Sequence, residues 1–245
     1  MPYHGIYHID SVVLTHEHAD AFFGLDDLRG FQITSRMLSE SNVSFIQNVS
    51  LPVYLSPQCL EVVKQTFGYL VPKELKTLPL QQGASSEGNT PIIIRHVAAL
   101  DFQTVHYFEP FYAAGLKMIP LPVKHGEDFI CNGYAFSVNG DKGDTTNVVY
   151  LSDISRMLPE TEEFILEKLP PTDILVVDSL LVDQNHSVHY SMGQALKLVK
   201  RLSPRKAFLV GMNCDEFPEH DEANIAIRAM DPTVQLAHDG LCIEL

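Results

Sequence analysis

Ser11-Val12-Val13-Leu14-Thr15-His16-Glu17-His18-Ala19-Asp20 carries the main reading of this chain. Its first four residues form a short apolar run, as expected for a buried strand, and the run stops at Thr15. Alternate residues of an extended segment point the same way. His16 and His18 can therefore turn both imidazoles toward one ion, and Asp20 extends the alternation with a carboxylate. Nitrogen and oxygen donors in this mixture suit a borderline metal such as zinc.

Working outward, residues 21–37 are expected to be helical, 51–55 a strand, and 57–69 a helix capped by Ser56 with Pro57 in its first turn. The middle is rich in strands, expected at 92–97, 105–108, 116–123, 134–138 and 148–151, with a turn over 139–147. Helices at 159–168, 192–202 and 219–229 then alternate with apolar strands at 174–177 and 207–210. Short strands at 234–236 and 241–244 end the pattern. No repeat or linker divides the 245 residues, so a single domain is expected, with a sheet-rich core and outer helices.

The charge balance narrows the partners. There are 31 acidic and 17 basic side chains, a net charge of −14, and the densest basic stretch (197–206) reads as one solvated helix face. A polyanion such as tRNA is therefore a poor partner. A small anionic substrate remains compatible, because a metal supplies local positive charge. The four cysteines have no paired metal spacing, which fits a reducing compartment, and a cytoplasmic location is expected. No apolar run approaches the roughly twenty residues that span a bilayer. Nothing in the sequence decides between a monomer and a homodimer.

On these motifs the chain resembles the metallo-β-lactamase superfamily. It looks most like the branch holding the tRNA 3′-processing endonucleases and the cyclic-phosphate phosphodiesterases. Beyond residues 15–20, Pro122-Val123-Lys124-His125-Gly126 resembles the family's third metal motif, and Tyr150-Leu151-Ser152-Asp153 its fourth. The segment 173–179, followed by His189, resembles the part that carries a catalytic histidine in the phosphodiesterases. Residues 208–215 lie where relatives carry their last metal histidine.

The resemblance implies an α/β (α+β) fold, the αββα four-layer sandwich. It also implies a metal held by His16, His18, Asp20, His125 and Asp153. Asp20 would aim and deprotonate the attacking water, and His189 would assist the leaving group. The cofactor implied is Zn2+, with Mn2+ as the alternative.

Three departures qualify this. Ala21 stands where relatives have a second histidine after the aspartate, and Val210-Gly211 stands where they have a Thr-His pair. Both missing histidines serve the second metal, so one ion is expected rather than two. Cys214, His189 or His220 are candidates to rebuild the second site. Only fifteen residues precede His16, so the N-terminal hairpin region of the family is expected to be missing. The expected activity is hydrolysis of a small phosphodiester. The alternatives are a thioester or lactone hydrolase, and a degenerate, non-catalytic metal-binding member.

Overall fold

A computed structural model describes residues 8–32, 34–38, 44–48, 50–71, 97–140 and 143–243. The chain divides into two compact units, Met1–Thr104 and Val105–Leu245.

The first unit runs β1 (Val12–Val13), α1 (Ala19–Phe22), a 3-10 helix (Phe23–Phe31), β2 (Thr34–Leu38), β3 (Ser44–Asn48), β4 (Leu51–Leu55), α2 (Pro57–Thr66) and β5 (Leu100–Thr104). Strands β1, β4 and β5 form a parallel sheet with β4 in the centre. β4 is buried at four of its five positions, the pattern of a strand covered on both faces. Leu14, Leu25, Val53, Leu55, Val63 and Leu100 make the core. As expected, Ser56 caps α2 by accepting a hydrogen bond from the Cys59 N–H at 3.1 Å, and Pro57 opens the helix.

The helix expected over 21–37 is corrected. One α turn begins at Ala19, continues as 3-10 helix to Phe31, and gives way to β2, which pairs antiparallel with β3. Gly24 and Gly30 weaken a helix here by roughly 1 kcal/mol each relative to alanine. Gln32 then leaves helical geometry (φ −83°, ψ 135°). Its amide group donates to the Ala99 carbonyl and accepts from the Ala99 N–H at 2.9 Å, a two-bond clamp that a continuing helix would forgo.

The strand expected at 92–97 falls almost wholly outside the described residues. The strand expected at 105–108 is displaced: β5 ends at Thr104 and Phe108 adopts φ +63°, which no strand accommodates.

The second unit contains β6 (Phe111–Ala113), β7 (Leu116–Lys124), β8 (Ile130–Asn139), β9 (Thr145–Leu151), α3 (Pro159–Lys168), β10 (Ile174–Asp178), α4 (Met192–Leu202), β11 (Lys206–Val210), α5 (His220–Met230) and β12 (Val234–Leu236). They form one seven-stranded sheet, ordered β12-β11-β10-β9-β8-β7-β6. The β6–β7 hairpin was unexpected; it turns on Ala114 and Gly115, both at positive φ. Residues 241–243 form no strand, because the Leu241 N–H turns back to the His238 carbonyl.

Period-two alternation sorts the sheet's two faces. On β10, Leu175 and Val177 join the main core with Leu198 and Val199 of α4 and Ile227 of α5, while Ile174 and Val176 face a smaller cluster around Phe208. No helix among the described residues is long and apolar enough to cross a membrane.

Strand direction, more than strand order, decides where the polar chain exits gather. β9, β10, β11 and β12 are parallel, and β7 runs the same way because β8 is antiparallel to both β7 and β9. The residues after β7, β9 and β10 therefore emerge at one edge, the C-terminal edge at which open α/β sheets gather ligands. Leu151, fully buried, sits in the strand that leads to Asp153. Leu151→Ala is expected to lower unfolding free energy by about 2–5 kcal/mol, read as a shifted urea midpoint with an unchanged slope.

Candidate metal and catalytic centre

In the first unit, the motif leaves β1 through Leu14, whose N–H donates to the Tyr54 carbonyl at 2.8 Å. His16 is buried and its Nδ1 lies 2.9 Å from the Thr15 hydroxyl. The His16 and His18 rings meet edge to face, centroids 4.5 Å apart, so the two imidazoles do share one side of the segment. The alternation ends at His18, however. His18 is the N-cap of α1, its carbonyl accepting from the Ala21 and Phe22 N–H groups, and Asp20 sits in the helix's first turn. The reading of Asp20 as a third extended position is thus corrected; a helical turn, not a strand, presents its exposed carboxylate. Glu17 accepts a 2.6 Å hydrogen bond from Gln58. Burial, and secondarily the Glu17 charge, push the Cys59 thiol up to about 12, so that sulfur carries its proton near neutral pH.

In the second unit, His125 follows β7 directly and is buried. Its Nδ1 is 2.7 Å from the Val188 carbonyl. A carbonyl only accepts, so Nδ1 carries the proton and Nε2 is the basic nitrogen, the tautomer a metal ligand needs. Glu127, two residues beyond His125, pairs with Arg156 at 3.2 Å. Gly126, at φ +90°, permits the approach: a Cβ there would lie 3.1 Å from Val188 Cγ1.

Asp153 adopts φ +52°, a left-handed conformation uncommon outside glycine, and its Oδ2 accepts from the Ser152 hydroxyl at 2.9 Å. Backbone strain of this kind, costing of order 1 kcal/mol or more, concentrates at functional sites.

His189 rides on the loop after β10. The loop is closed at its base by bonds from the Leu180 N–H to the Tyr190 carbonyl and from the Met192 N–H to the Leu181 carbonyl, both 2.8 Å. The His189 Nδ1 donates to Asp178 Oδ2 at 2.7 Å. Asp178, the last residue of β10, is 3% exposed and also accepts from the Ile154 N–H at 3.3 Å. Burial pushes the Asp178 carboxyl above its ordinary range, and the His189 bond pulls it back. The sequence alone leaves Asp178 undecided between structure and site; its signal is a carboxylate closing an otherwise apolar strand.

One ligand atom each from His125, Asp153 and His189 lies within 4.8 Å of the other two. Of the three residues considered for rebuilding a second site, His189 is therefore the one brought to His125 and Asp153. His220 is tied elsewhere, its Nε2 donating to the Ala237 carbonyl at 3.2 Å and its Nδ1 accepting from Asn224 at 3.3 Å. Cys214 is exposed. Imidazole and carboxylate donors, one ring held in its metal-binding tautomer, fit a divalent ion of the zinc type.

The sequence profile of the β-lactamase superfamily domain matches residues 2–212. The chain belongs to the metallo-β-lactamase superfamily. Membership of the superfamily, together with likeness to its solved structures, bears out the α/β sandwich fold class expected from the motifs.

The chain is similar to a diphosphatase of the PhnP family, at 26% identity and TM-score 0.67, over 98% of this chain and 73% of that one. Human tRNase Z, short form, shares the fold at 15% identity and TM-score 0.56, over 96% and 79% of the two chains. An octanoyltransferase of Porphyromonas gingivalis (strain ATCC BAA-308 / W83) is 23% identical over 97% of this chain. The match spans only 38% of that relative's length.

Gly211 explains one departure from the superfamily pattern. It has φ +78°, and a Cβ there would lie 2.9 Å from Asp178 Oδ1. A histidine at this position would be strained by its backbone and would collide with the carboxylate that orients His189. Gly211→Ala is expected to lower stability by about 1–3 kcal/mol in urea unfolding, because both penalties apply.

Proposed function

We propose that the chain is a metal-dependent hydrolase of small phosphodiesters that holds one ion firmly, the ligands implied by its sequence motifs being His16, His18, His125 and Asp153. The observation that carries this reading is the convergence of His125, Asp153 and an Asp178-oriented His189 at one sheet edge. Similarity to a PhnP-family diphosphatase supports the phosphoryl substrate class. A divalent ion, when bound, supplies Lewis acidity, bringing the pKa of water to roughly 7 and polarising the bond under attack.

The chain's own residues do the rest. Asp20 accepts a proton from the attacking water. The water oxygen forms the new bond to phosphorus as the bond to the leaving oxygen breaks. His189 gives that oxygen its proton, and Asp178 holds the imidazole in the required tautomer and stabilises its charged form. Val188 fixes His125 through its carbonyl. Ala21 and Gly211 provide no imidazole for a second ion, which supports a one-metal site, and the imidazole and carboxylate donors suit zinc as its occupant.

A second reading has a specific observation behind it. The octanoyltransferase relative handles an acyl group, and its matching segment spans nearly all of this chain. The same nucleophile and proton donor would cleave a thioester.

Hydrolysis of bis-p-nitrophenyl phosphate, assayed beside a panel of acyl thioesters, separates the two readings; turnover of thioesters alone would overturn the first. His16→Ala and Asp153→Ala are expected to lose metal, measured by plasma emission after dialysis, together with activity. His189→Ala is expected to retain metal and lose about 10²–10⁴-fold in kcat, the span of a proton donor's contribution. Two ions retained per wild-type chain would refute the one-metal assignment.

A further inference from the structure

Beside the His125–Asp153–His189 cluster, the second unit contains a groove of about 470 Å³. Three of its nine lining residues are cations (Arg156, Lys197 and Arg201), against one carboxylate, Glu127. That is a local reversal of sign in a chain with 31 acidic and 17 basic side chains. Gln194, Lys197 and Arg201 of α4 recur at helical spacing, so one helix face supplies one wall.

The groove borders the cluster on two sides. Ser155, two residues beyond Asp153, accepts from the Gly126 N–H at 2.9 Å, next to His125. His186, also in the lining, has its ring centroid 5.5 Å from that of His189.

The cations differ in availability. Arg201 is held by Glu162 at 2.6 Å. Arg156 pairs with Glu127 at 3.2 Å, but both side chains are more than half exposed, so water competes for that pair and a bound anion can replace it. Lys197 makes no ion pair among the described residues.

We propose that this groove binds a phosphate group of the substrate remote from the bond cleaved. Lys197 is its principal contact, and Arg156 exchanges Glu127 for the ligand. A planar guanidinium fork, an ammonium point charge and the neighbouring His186 suit a tetrahedral dianion with several acceptor oxygens. The inference rests on the adjacent cluster being the catalytic centre, but it does not depend on which bond is cleaved there.

The test uses the metal-loaded protein and two p-nitrophenyl alkyl phosphodiesters, one arm ending in a phosphate and the other in a hydroxyl. The wild type is expected to show a KM at least tenfold lower for the phosphate-terminated substrate. Lys197→Gln should bring the ratio of the two KM values close to one, and Arg156→Gln should reduce it. Lys200→Gln, on the same helix outside the groove, should preserve it. Equal KM values in the wild type, or the same loss in Lys200→Gln, would overturn the proposal.

If the wild type cleaves neither compound, the phosphodiesterase reading fails and calorimetric titration with inorganic phosphate decides the groove separately. At least tenfold weaker binding in the Lys197→Gln/Arg156→Gln double variant supports it. Equal affinity in the two proteins overturns it.

Discussion

A carboxylate buried at the end of a sheet strand organises the second unit's chemistry. Removing a charge from water is expensive unless hydrogen bonds replace the lost solvation. Asp178 has two such bonds, from the His189 imidazole and the Ile154 N–H. Each reaches it from a different segment, the loop after β10 and the turn after β9. Two loops are thereby fixed to one pair of oxygens, and Gly211 after β11 completes the enclosure by presenting no side chain. His189's orientation, Asp153's left-handed backbone and the absence of a histidine at 211 are linked through this group.

The parallel strands explain why the arrangement is economical. β7, β9, β10 and β11 run in one direction, so each chain exit falls at the same edge without long connections. The apolar alternation along these strands fixes which residues enter the core. The polar residues at and just beyond the strand ends are then gathered at that edge. His125 directly follows β7, Asp153 lies two residues beyond the end of β9, and Asp178 is the terminal residue of β10.

Much of this was legible in the sequence where the signal was local. α3, α4 and β12 occupy the expected residues, because their apolar periodicity and their end signals, such as Pro159 at the start of α3 and the Ser191–Gln194 capping box of α4, lie within a few positions of one another. The helix expected over 21–37 failed for a nonlocal reason: Gln32 finds its partner at Ala99, far along the chain. Asp20 departs from the expected alternation because a helix starts at Ala19, a break in the period of two that the residue types alone do not reveal. The pairing of Asp178 with His189 was likewise out of reach. A histidine in a polar loop carries no mark of the carboxylate it will meet, and only the closure of that loop brings them together.

That closure has a consequence for how such a protein can diversify. One short loop carries the Val188 carbonyl that sets His125, the His189 imidazole and the His186 wall of the basic groove. Any change in its length alters ligand orientation, proton transfer and anion recognition at once. α4 supplies groove residues but none of the ligand or proton-transfer groups. Substitutions there can retune recognition while leaving the chemistry in place, so descendants of this architecture should acquire new substrates through the helix and keep the loop almost unaltered.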